Sequence, residues 1–409
     1  MTEAAMGRRD RKKARTRRAI ADAALELFLA RGFDQVTVKD VAEAADVSIS
    51  GLFKHFPTKE SLVFDEEEDV QAGLVSAVRD RPEGTPVLEA LRGWLDRGRD
   101  LAADPRKAAF LDLIADTPAL SDHARRMWLR NEAELAKALR EAGPDVPGAD
   151  IAARAVARFA LDRPRPWRRP DPGGELDAAF ALLGDGWPAP ELRVPPQNPP
   201  PAAPPAPARP PGLRERKKAQ TRRAINRAAL DLFTERGYDD VGVREIADAA
   251  GTSLATMFTY FPDGKASLVF PGSRAERTAA LVRAVRLRRP GQTVLRALHD
   301  HMATRGPFKA DPAPEKRRVL DLVRATPQLR DHALHSWTAA EDDLTAAITR
   351  EAALPAGDHT ARLLARYVLQ IPDLARTAAD ARRVLDVVTA LLEHGWPAGT
   401  WAAAPDDGR

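Results

Sequence analysis

The sequence contains a long internal repeat, and this feature constrains the fold more than any other. Residues 11–20 read RKKARTRRAI and residues 216–225 read RKKAQTRRAI, which differ at one position. The two copies also end alike, because GWPA stands at 186–189 and again at 395–398. Each copy is a unit of roughly 190 to 200 residues, the size of a complete domain and too long for one solenoid repeat. The chain is therefore expected to contain two similar folds in tandem.

A proline-rich segment separates the copies. Ten of the 17 residues from Pro195 to Pro211 are proline, a composition that favours extended polyproline II and cannot form a packed core. At about 3.1 Å per residue, such a linker reaches roughly 50 Å. It is long enough to place the second copy beside the first, and it is also compatible with an inert spacer.

The first copy begins with the pattern of a small helical domain. Apolar residues recur at helical spacing across 20–28 and predict an amphipathic helix that ends at Gly32. A second, shorter helix is predicted across 38–45, and the turn Asp46-Val47 follows it. Two short helices joined by such a turn are typical of a helix-turn-helix, which presents its second helix to the major groove of DNA.

That second helix, the recognition helix, is predicted from Ile49 to Phe56, with Ser48 as its N-cap and a proline after its end. Its spacing places Leu52, Phe53 and Phe56 in the core. The residues left on its outer face are Ser50, Gly51, Lys54 and His55. The corresponding aromatic pair of the second copy is Phe258 and Phe261, of which at least one is expected to point inward.

The run TVKDVAEAADVSISGLFKHFPTKESL, from Thr37 to Leu62, resembles the N-terminal signature of the tetracycline-repressor (TetR) family. In the second copy, Val243–Leu268 keeps much of this signature, although Gly242 stands where the first copy has Thr37. The resemblance implies a three-helix DNA-binding head, followed by a larger helical body that binds a small molecule and dimerises through its last two helices. It also implies a transcriptional regulator, most often a repressor.

The repeat and the resemblance together predict an all-α chain of two tandem TetR-like domains. The predicted boundaries are a first head at 1–64, a first body at 65–190, the linker at 191–212, a second head at 213–270 and a second body at 271–400. The last two helices of each copy are expected to pair within the chain, about 149–162 with 174–187 and 358–371 with 378–395. Tethering gives the two copies an effective concentration of about 1 mM, so a single-chain pseudo-dimer is predicted.

The predicted DNA contacts come from three places. Basic residues precede the first helix of each copy and are expected to neutralise phosphates, although a solvated charged tail is the alternative. Thr37 and Lys59 begin helices, where free backbone N–H groups favour a phosphate, and the start of the recognition helix is expected to read bases. The predicted residues of the first copy are Arg11, Lys12, Lys13, Arg17, Thr37, Ser48, Ile49, Ser50, Gly51, Lys54, His55 and Lys59. Those of the second copy are Arg216, Lys217, Lys218, Arg222, Ser253, Leu254, Ala255, Thr256, Thr259, Tyr260 and Lys265.

The two heads are not equivalent. Thr259 and Tyr260 replace Lys54 and His55, and an inserted Gly264 disturbs the start of the following helix. Because two-fold operators mirror two-fold proteins, we expect an imperfectly palindromic operator in which the first head supplies most of the affinity. The alternative is a second head that has become a purely structural partner.

The helical bodies contain aromatic residues at helical spacing, which line either a ligand pocket or the core. The candidate pocket residues are Trp94, Phe110, Met127, Trp128 and Phe180 in the first body, and His301, Met302, Phe308, Trp337 and Tyr367 in the second. Because the bodies are apolar, we expect a hydrophobic or aromatic effector. It would release DNA by binding the non-DNA conformation more tightly.

Composition limits the alternatives. The 409 residues include no cysteine, which excludes disulfides, thiolate zinc sites and cysteine nucleophiles. No uninterrupted apolar run of about 18 residues occurs, and no apolar stretch follows the basic N-terminus, so we expect a cytoplasmic protein without a membrane span or signal peptide. Because no glycine-rich phosphate loop or nucleophile elbow is present, neither an enzyme nor a cofactor is predicted.

Two rival functions stay open at this point. A zinc or nickel site could form if the fold brought together four histidines of the second body, His299, His301, His332 and His335. A ligand-sequestering protein with vestigial heads is the other rival, and the intact basic residues argue against it.

Overall fold

The computed structural model describes residues 8–65, 67–100, 105–161, 172–187, 213–270, 274–309 and 314–396. Every regular element within these ranges is helical, which confirms the predicted all-α class. The predicted linker at 191–212 lies outside the described residues. None of the described helices is long and apolar enough to span a membrane.

The two copies follow the same order of helices. The first copy contains α1 (Arg8–Arg31), α2 (Val38–Ala44), α3 (Ile49–His55), α4 (Glu67–Arg79), α5 (Val87–Asp100), α6 (Pro105–Asp116), α7 (Pro118–Ala142), α8 (Ala149–Leu161) and α9 (Pro172–Asp185). The second contains α10 (Leu213–Arg236), α11 (Val243–Ala249), α12 (Leu254–Tyr260), α13 (Arg274–Arg286), α14 (Val294–Ala303), α15 (Pro314–Ala325), α16 (Pro327–Thr338), α17 (Glu341–Glu351), α18 (His359–Leu374) and α19 (Ala381–His394). The copies differ at α7, which is one continuous helix in the first copy and two helices, α16 and α17, in the second.

The basic residues at the start of each copy belong to a helix. We expected them to precede the first helix, but α1 already begins at Arg8 and α10 at Leu213. Arginine, lysine and alanine are strong helix formers, so nothing in the run from Arg11 to Ile20 ends the helix. The basic residues are therefore held on a rigid element.

Each head consists of three helices around a small apolar core. In the first head, Ile20, Ala24 and Phe28 of α1 are fully buried in one cluster with Leu52 and Phe56. The equivalent buried residues of the second head are Ile225, Ala229, Phe233, Met257 and Phe261. Burying each large side chain contributes about 1.5–3 kcal/mol, which is how helices as short as α2 and α3 are held in place.

Both head cores continue into the body of the same copy. Leu120 and Met127 of α7 belong to the first head's cluster, and Leu329 of α16 belongs to the second head's cluster. At the same joint, His123 stacks on Phe64 with ring centres 4.9 Å apart, and His332 stacks on Phe270 at 5.4 Å. Each head is thus packed onto its own body.

The chain divides into two compact units. The described residues of the first unit fall within Met1–Asp145 and Ala152–Phe180, and those of the second within Val146–Ile151 and Ala181–Arg409. The second unit therefore includes the end of α9, which belongs to the first copy in sequence.

Within the second unit, the ends of α9 and α19 make reciprocal backbone hydrogen bonds. The N–H of Trp187 donates to the carbonyl of Leu392 at 2.6 Å, and the N–H of Trp396 donates to the carbonyl of Leu183 at 2.7 Å. Trp187 corresponds to Trp396 in the repeat, and Leu183 corresponds to Leu392. The two bonds are therefore the same contact made twice, once in each direction.

Glycine makes this close approach possible. Gly186 and Gly395 occupy equivalent positions in the two copies, with φ of 78° and 75°. A Cβ at Gly186 would lie 2.5 Å from the backbone oxygen of Glu393, and a Cβ at Gly395 would lie 2.5 Å from the carbonyl carbon of Gly184. Any larger residue would meet backbone, which cannot rotate away.

Candidate nucleic-acid interface

The recognition helix of the first head, α3, has a clear inner and outer face. Leu52 and Phe56, four residues apart, are completely buried, while Ile49 and Phe53 are 46% and 45% exposed. The prediction that Phe53 points into the core is therefore wrong. Successive helical residues turn by about 100°, so Leu52 and Phe56 already fill the inward direction and Phe53 is carried outward.

The second recognition helix, α12, repeats this arrangement. Met257 and Phe261 are buried, whereas Phe258 is 42% exposed. The expectation that at least one aromatic of each pair points inward is confirmed by Phe56 and Phe261. Ala255 and Thr259 are exposed, and Leu254, Thr256 and Tyr260 are half-buried.

Serine caps begin both recognition helices. The hydroxyl of Ser48 accepts the N–H of Gly51 at 3.0 Å, and the hydroxyl of Ser253 accepts the N–H of Thr256 at 3.1 Å. A cap of this kind typically stabilises a helix by about 1 kcal/mol. The predicted role of these serines in reading bases thus competes with a capping role, which the sequence already indicated for Ser48.

The start of α2 is closed by its own acidic residue. Thr37 and Asp40 form a capping box, in which the Thr37 N–H donates to the Asp40 carboxylate at 2.7 Å. Hydrogen bonds from the Thr37 side chain and then its backbone lower the pKa of Asp40. In the second head, the N–H of Gly242 donates to Glu245 at 2.8 Å, although glycine has no hydroxyl to return the bond. A carboxylate therefore occupies the position that we assigned to a DNA phosphate.

One arginine in each head binds the C-terminal end of the recognition helix. Arg17 donates to the carbonyl of His55 at 2.6 Å, and its guanidinium lies 4.3 Å from the centre of the Phe56 ring. Arg222 repeats this, donating to the carbonyl of Tyr260 at 3.0 Å above Phe261. Cations suit the last carbonyls of a helix because the helix dipole is negative there. The two arginines thus position α3 and α12.

A lysine after each recognition helix is held in the same way. Lys59 donates to the carbonyl of Phe33 at 2.6 Å and lies over the Phe33 ring. Lys265 donates to the carbonyl of Tyr238 at 2.5 Å and lies over the Tyr238 ring. Burial lowers the pKa of Lys265 below its ordinary value. We predicted both lysines as phosphate contacts, and the structure directs their ammonium groups toward their own head.

The other described lysines and arginines of the predicted set face solvent. Lys54 on α3 is exposed, and so are the predicted arm residues of the first copy, Arg11, Lys12 and Lys13. Lys217 and Lys218 are exposed in the second copy, and the side chain of Arg216 lies outside the described part of the chain. Burial, followed by the charges of Lys13 and Arg17, lowers the pKa of His55. His55 is therefore neutral near pH 7, and lysine and arginine supply the positive charge of this face.

Some of the predicted pocket residues are buried in the core, and the others are partly exposed. Phe180, Met302, Phe308 and Tyr367 are buried, Trp128 is 38% exposed, and His301 is half-buried with its pKa lowered to about 4 by burial. Met127 and Phe110 pack with the core of the first head. The half-buried residues are Trp94, Phe110, His301 and Trp337.

A groove of about 530 Å³ lies between α13 and α17 in the second body. Its lining combines alanines with Arg274, Arg286, Arg350 and Asp343. None of the ten predicted pocket residues lines it. A sequence search for aromatic residues could not find this groove, because small side chains and the gap between two helices create it.

The four histidines of the second body do not form a metal cluster. The ring of His299 lies 2.7 Å from Asp386 and 3.0 Å from Asp300, while His332 stacks on Phe270. Across the described ranges, no group of three histidine, cysteine or acidic side chains could hold a metal ion.

The fold and the exposed recognition helices define a protein with two helix-turn-helix heads. The family model for bacterial regulatory proteins of the tetR family matches residues 20–65 and 225–270, one match in each head.

Relatives of known name agree with this match. The transcriptional regulator TcmR of Streptomyces glaucescens is 33% identical over 139 residues, which are 32% of this chain and 62% of TcmR. The putative mycofactocin biosynthesis regulator MftR of Mycobacterium tuberculosis is 28% identical over 187 residues, 43% of this chain and 93% of MftR. RutR of Escherichia coli K12 is 30% identical over 131 residues, 30% of this chain and 60% of RutR. The chain thus spans about three fifths of the length of TcmR and RutR.

Each of the two heads is therefore similar to the DNA-binding region of the tetR family, and the chain carries two such units in tandem.

Proposed function

We propose that this chain is a sequence-specific DNA-binding transcriptional regulator whose two non-identical heads bind the two sides of one operator. The observation that carries the proposal is the pair of capped recognition helices, α3 and α12, each with an exposed face in a head whose first helix carries exposed lysines. Positive residues on a rigid helix neutralise phosphates, and the recognition helix enters the major groove.

The first head is proposed to supply most of the affinity. Its recognition helix carries the exposed cation Lys54, whereas the equivalent position on α12 is Thr259. One phosphate contact is worth roughly one unit in the slope of affinity against salt. The half-site of the first head should therefore contribute more of the affinity, and an imperfect palindrome is proposed because the two recognition helices differ in sequence.

A single chain is proposed to act as a pseudo-dimer. The reciprocal bonds of Trp187 and Trp396, supported by Gly186 and Gly395, have the form of an isologous contact, in which equivalent residues exchange the same interaction. A symmetric dimer of two separate chains makes such a contact once in each direction. Here both partners belong to one polypeptide, so no second chain is needed to supply the other half.

A small-molecule effector is proposed to bind the helical bodies and lower the affinity for DNA. The half-buried predicted residues Trp94, His301 and Trp337 keep one side accessible, and the groove between α13 and α17 offers a second place. Because each head is packed onto its body, a ligand that shifts α6 and α7 or α15 and α16 would move a recognition helix. Thermal denaturation against a panel of metabolites, followed by DNA binding with each hit, tests this step.

Fluorescence anisotropy with a labelled duplex selected from a random-sequence pool tests the proposed function. Lys12→Glu should weaken binding more than Lys217→Glu, its counterpart in the second head, and both should flatten the dependence on salt. Arg289→Glu, an exposed cation in the second body, is the matched control and should change neither property. Failure to select any duplex, or equal effects of Lys12→Glu and Arg289→Glu, would refute DNA binding through this face.

A further inference from the structure

Each recognition helix exposes a large apolar side chain in its middle. Six large hydrophobic side chains are exposed among the described residues, and three of these are Ile49, Phe53 and Phe258. These three lie on α3 and α12, which together contribute only fourteen residues. Phe53 and Phe258 occupy equivalent positions of the repeat. The coincidence in both heads points to a shared partner of these side chains.

Packing within the head does not require these phenylalanines. The inward positions are filled by Leu52 and Phe56 in α3 and by Met257 and Phe261 in α12, all buried to 2% exposure or less. A single exposed apolar residue needs no explanation, but here the exposed residue recurs at equivalent positions of both recognition helices and lies next to the exposed Lys54 in the first. The proposed function places these residues in the major groove of DNA.

The groove offers one apolar group with sequence information. Thymine presents a C5-methyl group there, whereas the other bases present hydrogen-bond donors and acceptors. We infer that Phe53 and Phe258 select thymine by contact with its C5-methyl group. This inference rests on the proposed function and adds to it the chemistry by which bases are chosen.

The first head is expected to make two such contacts and the second head one. Ile49 and Phe53 are four residues apart, which is about 6 Å along the helix axis, close to the height of two base pairs at about 3.4 Å each. In the second head, Leu254, the counterpart of Ile49, is half-buried and packs against the core, so Phe258 stands alone. The half-site of the first head should therefore contain two selected thymines within about two base pairs, and the other half-site one.

Replacing single thymines by deoxyuridine in the selected duplex removes only the methyl group and tests the inference directly. Burying one carbon contributes about 0.8 kcal/mol, so each contacted thymine should lose roughly fourfold in affinity when replaced. Two sensitive thymines are expected in one half-site and one in the other. Insensitivity at every thymine would overturn the inference while leaving DNA binding intact, and failure to bind the unmodified duplex would instead refute the proposed function.

A double-mutant cycle assigns the contact to the side chain. Phe53→Ala should abolish the preference for thymine over deoxyuridine at one position and leave the others unchanged, and Phe258→Ala should do the same in the second half-site. Leu129→Ala is the matched control, because Leu129 is 45% exposed, like Phe53, but lies on α7 of the body. Thermal denaturation checks that each variant is folded. A preference that survives in both phenylalanine variants would overturn the inference.

Discussion

The reciprocal contact between the ends of α9 and α19 can be tested by adding one methyl group. Gly395→Ala places a Cβ 2.5 Å from the carbonyl carbon of Gly184 and closer still to its oxygen. Gly395 also has φ 75° and ψ −177°, a region that essentially only glycine occupies. The substitution therefore adds a backbone clash to conformational strain.

A second glycine separates these two costs. Gly264 has φ 81° and ψ −169°, nearly the conformation of Gly395, but a Cβ there has no heavy atom within 4 Å. Gly264→Ala should therefore cost only the strain, about 2 kcal/mol. Gly395→Ala should cost the same strain and in addition the two hydrogen bonds of Trp187 and Trp396, at about 1 kcal/mol each. The expected total is about 4 kcal/mol.

Urea denaturation of the wild type and both variants measures these free energies of unfolding. The extra 2 kcal/mol of Gly395→Ala corresponds to a melting temperature about 4–8 °C below that of Gly264→Ala. Gly186→Ala acts on the same contact from the other copy, so the double variant should cost less than the sum of the two single variants. If Gly395→Ala and Gly264→Ala differ by less than about 1 kcal/mol, the contact does not hold these helices together, and the reasoning is refuted.

Three further predictions concern single side chains. Arg17→Ala should lower the free energy of unfolding by about 2 kcal/mol, since it removes two hydrogen bonds and a cation–π contact, whereas the exposed Lys12→Ala should leave it unchanged in the same urea titration. Burial lowers the pKa of His301 to about 4, so between about pH 6.5 and pH 4 only the unfolded chain takes up a proton at this residue, and stability falls as the pH drops through that window. In His301→Gln the melting temperature should fall less steeply over the same window. An unchanged fall would contradict the assignment. Arg288→Ala should cost about 3–5 kcal/mol in calorimetry, because it leaves the carboxylate of Glu351, 2.6 Å away, buried without its cation; a cost under 1 kcal/mol would show that the pair is unimportant.

The tandem architecture was predictable from the sequence because the repeat is nearly exact at 11–20 and 216–225 and because the segment GWPA ends both copies. The helix-turn-helix elements were predictable from apolar spacing, the Ser48 cap and the turn at Asp46-Val47, and α2 and α3 lie where these signals place them. All of these are local signals, carried by residues within one or two helical turns of each other.

Three features could not be derived from local signals. A seven-residue helix with Leu52, Phe53 and Phe56 offers three apolar candidates for an inward face that holds two, and only the packed head decides which one is left outside. The charges of Arg17 and Lys59 predict phosphate contacts. In the structure, however, both side chains donate hydrogen bonds to carbonyl groups that are distant in the sequence. Phe53 is apolar and Arg17 and Lys59 are basic, as the prediction assumed. Tertiary contacts nevertheless give these residues positions and partners other than those predicted.

The contact between α9 and α19 coincides with a sequence feature, the repeated GWPA segment, that hydrophobic spacing does not interpret. The repeated GWPA at 186–189 and 395–398 marks the ends of the copies, but residue spacing alone does not indicate that its glycine is a point of close backbone approach. A glycine placed identically in both copies, directly before a tryptophan, is consistent with a contact between equivalent segments. The groove between α13 and α17 had no such signal, because it depends on where two helices separate.

Counting chains on bound DNA tests most directly whether one chain supplies both heads to one operator. Native mass spectrometry of the selected duplex at nanomolar protein should show one chain per duplex, while footprinting of the same complex should show two protected half-sites about one helical turn apart. Two chains per duplex, or one chain that protects a single half-site, would contradict the claim.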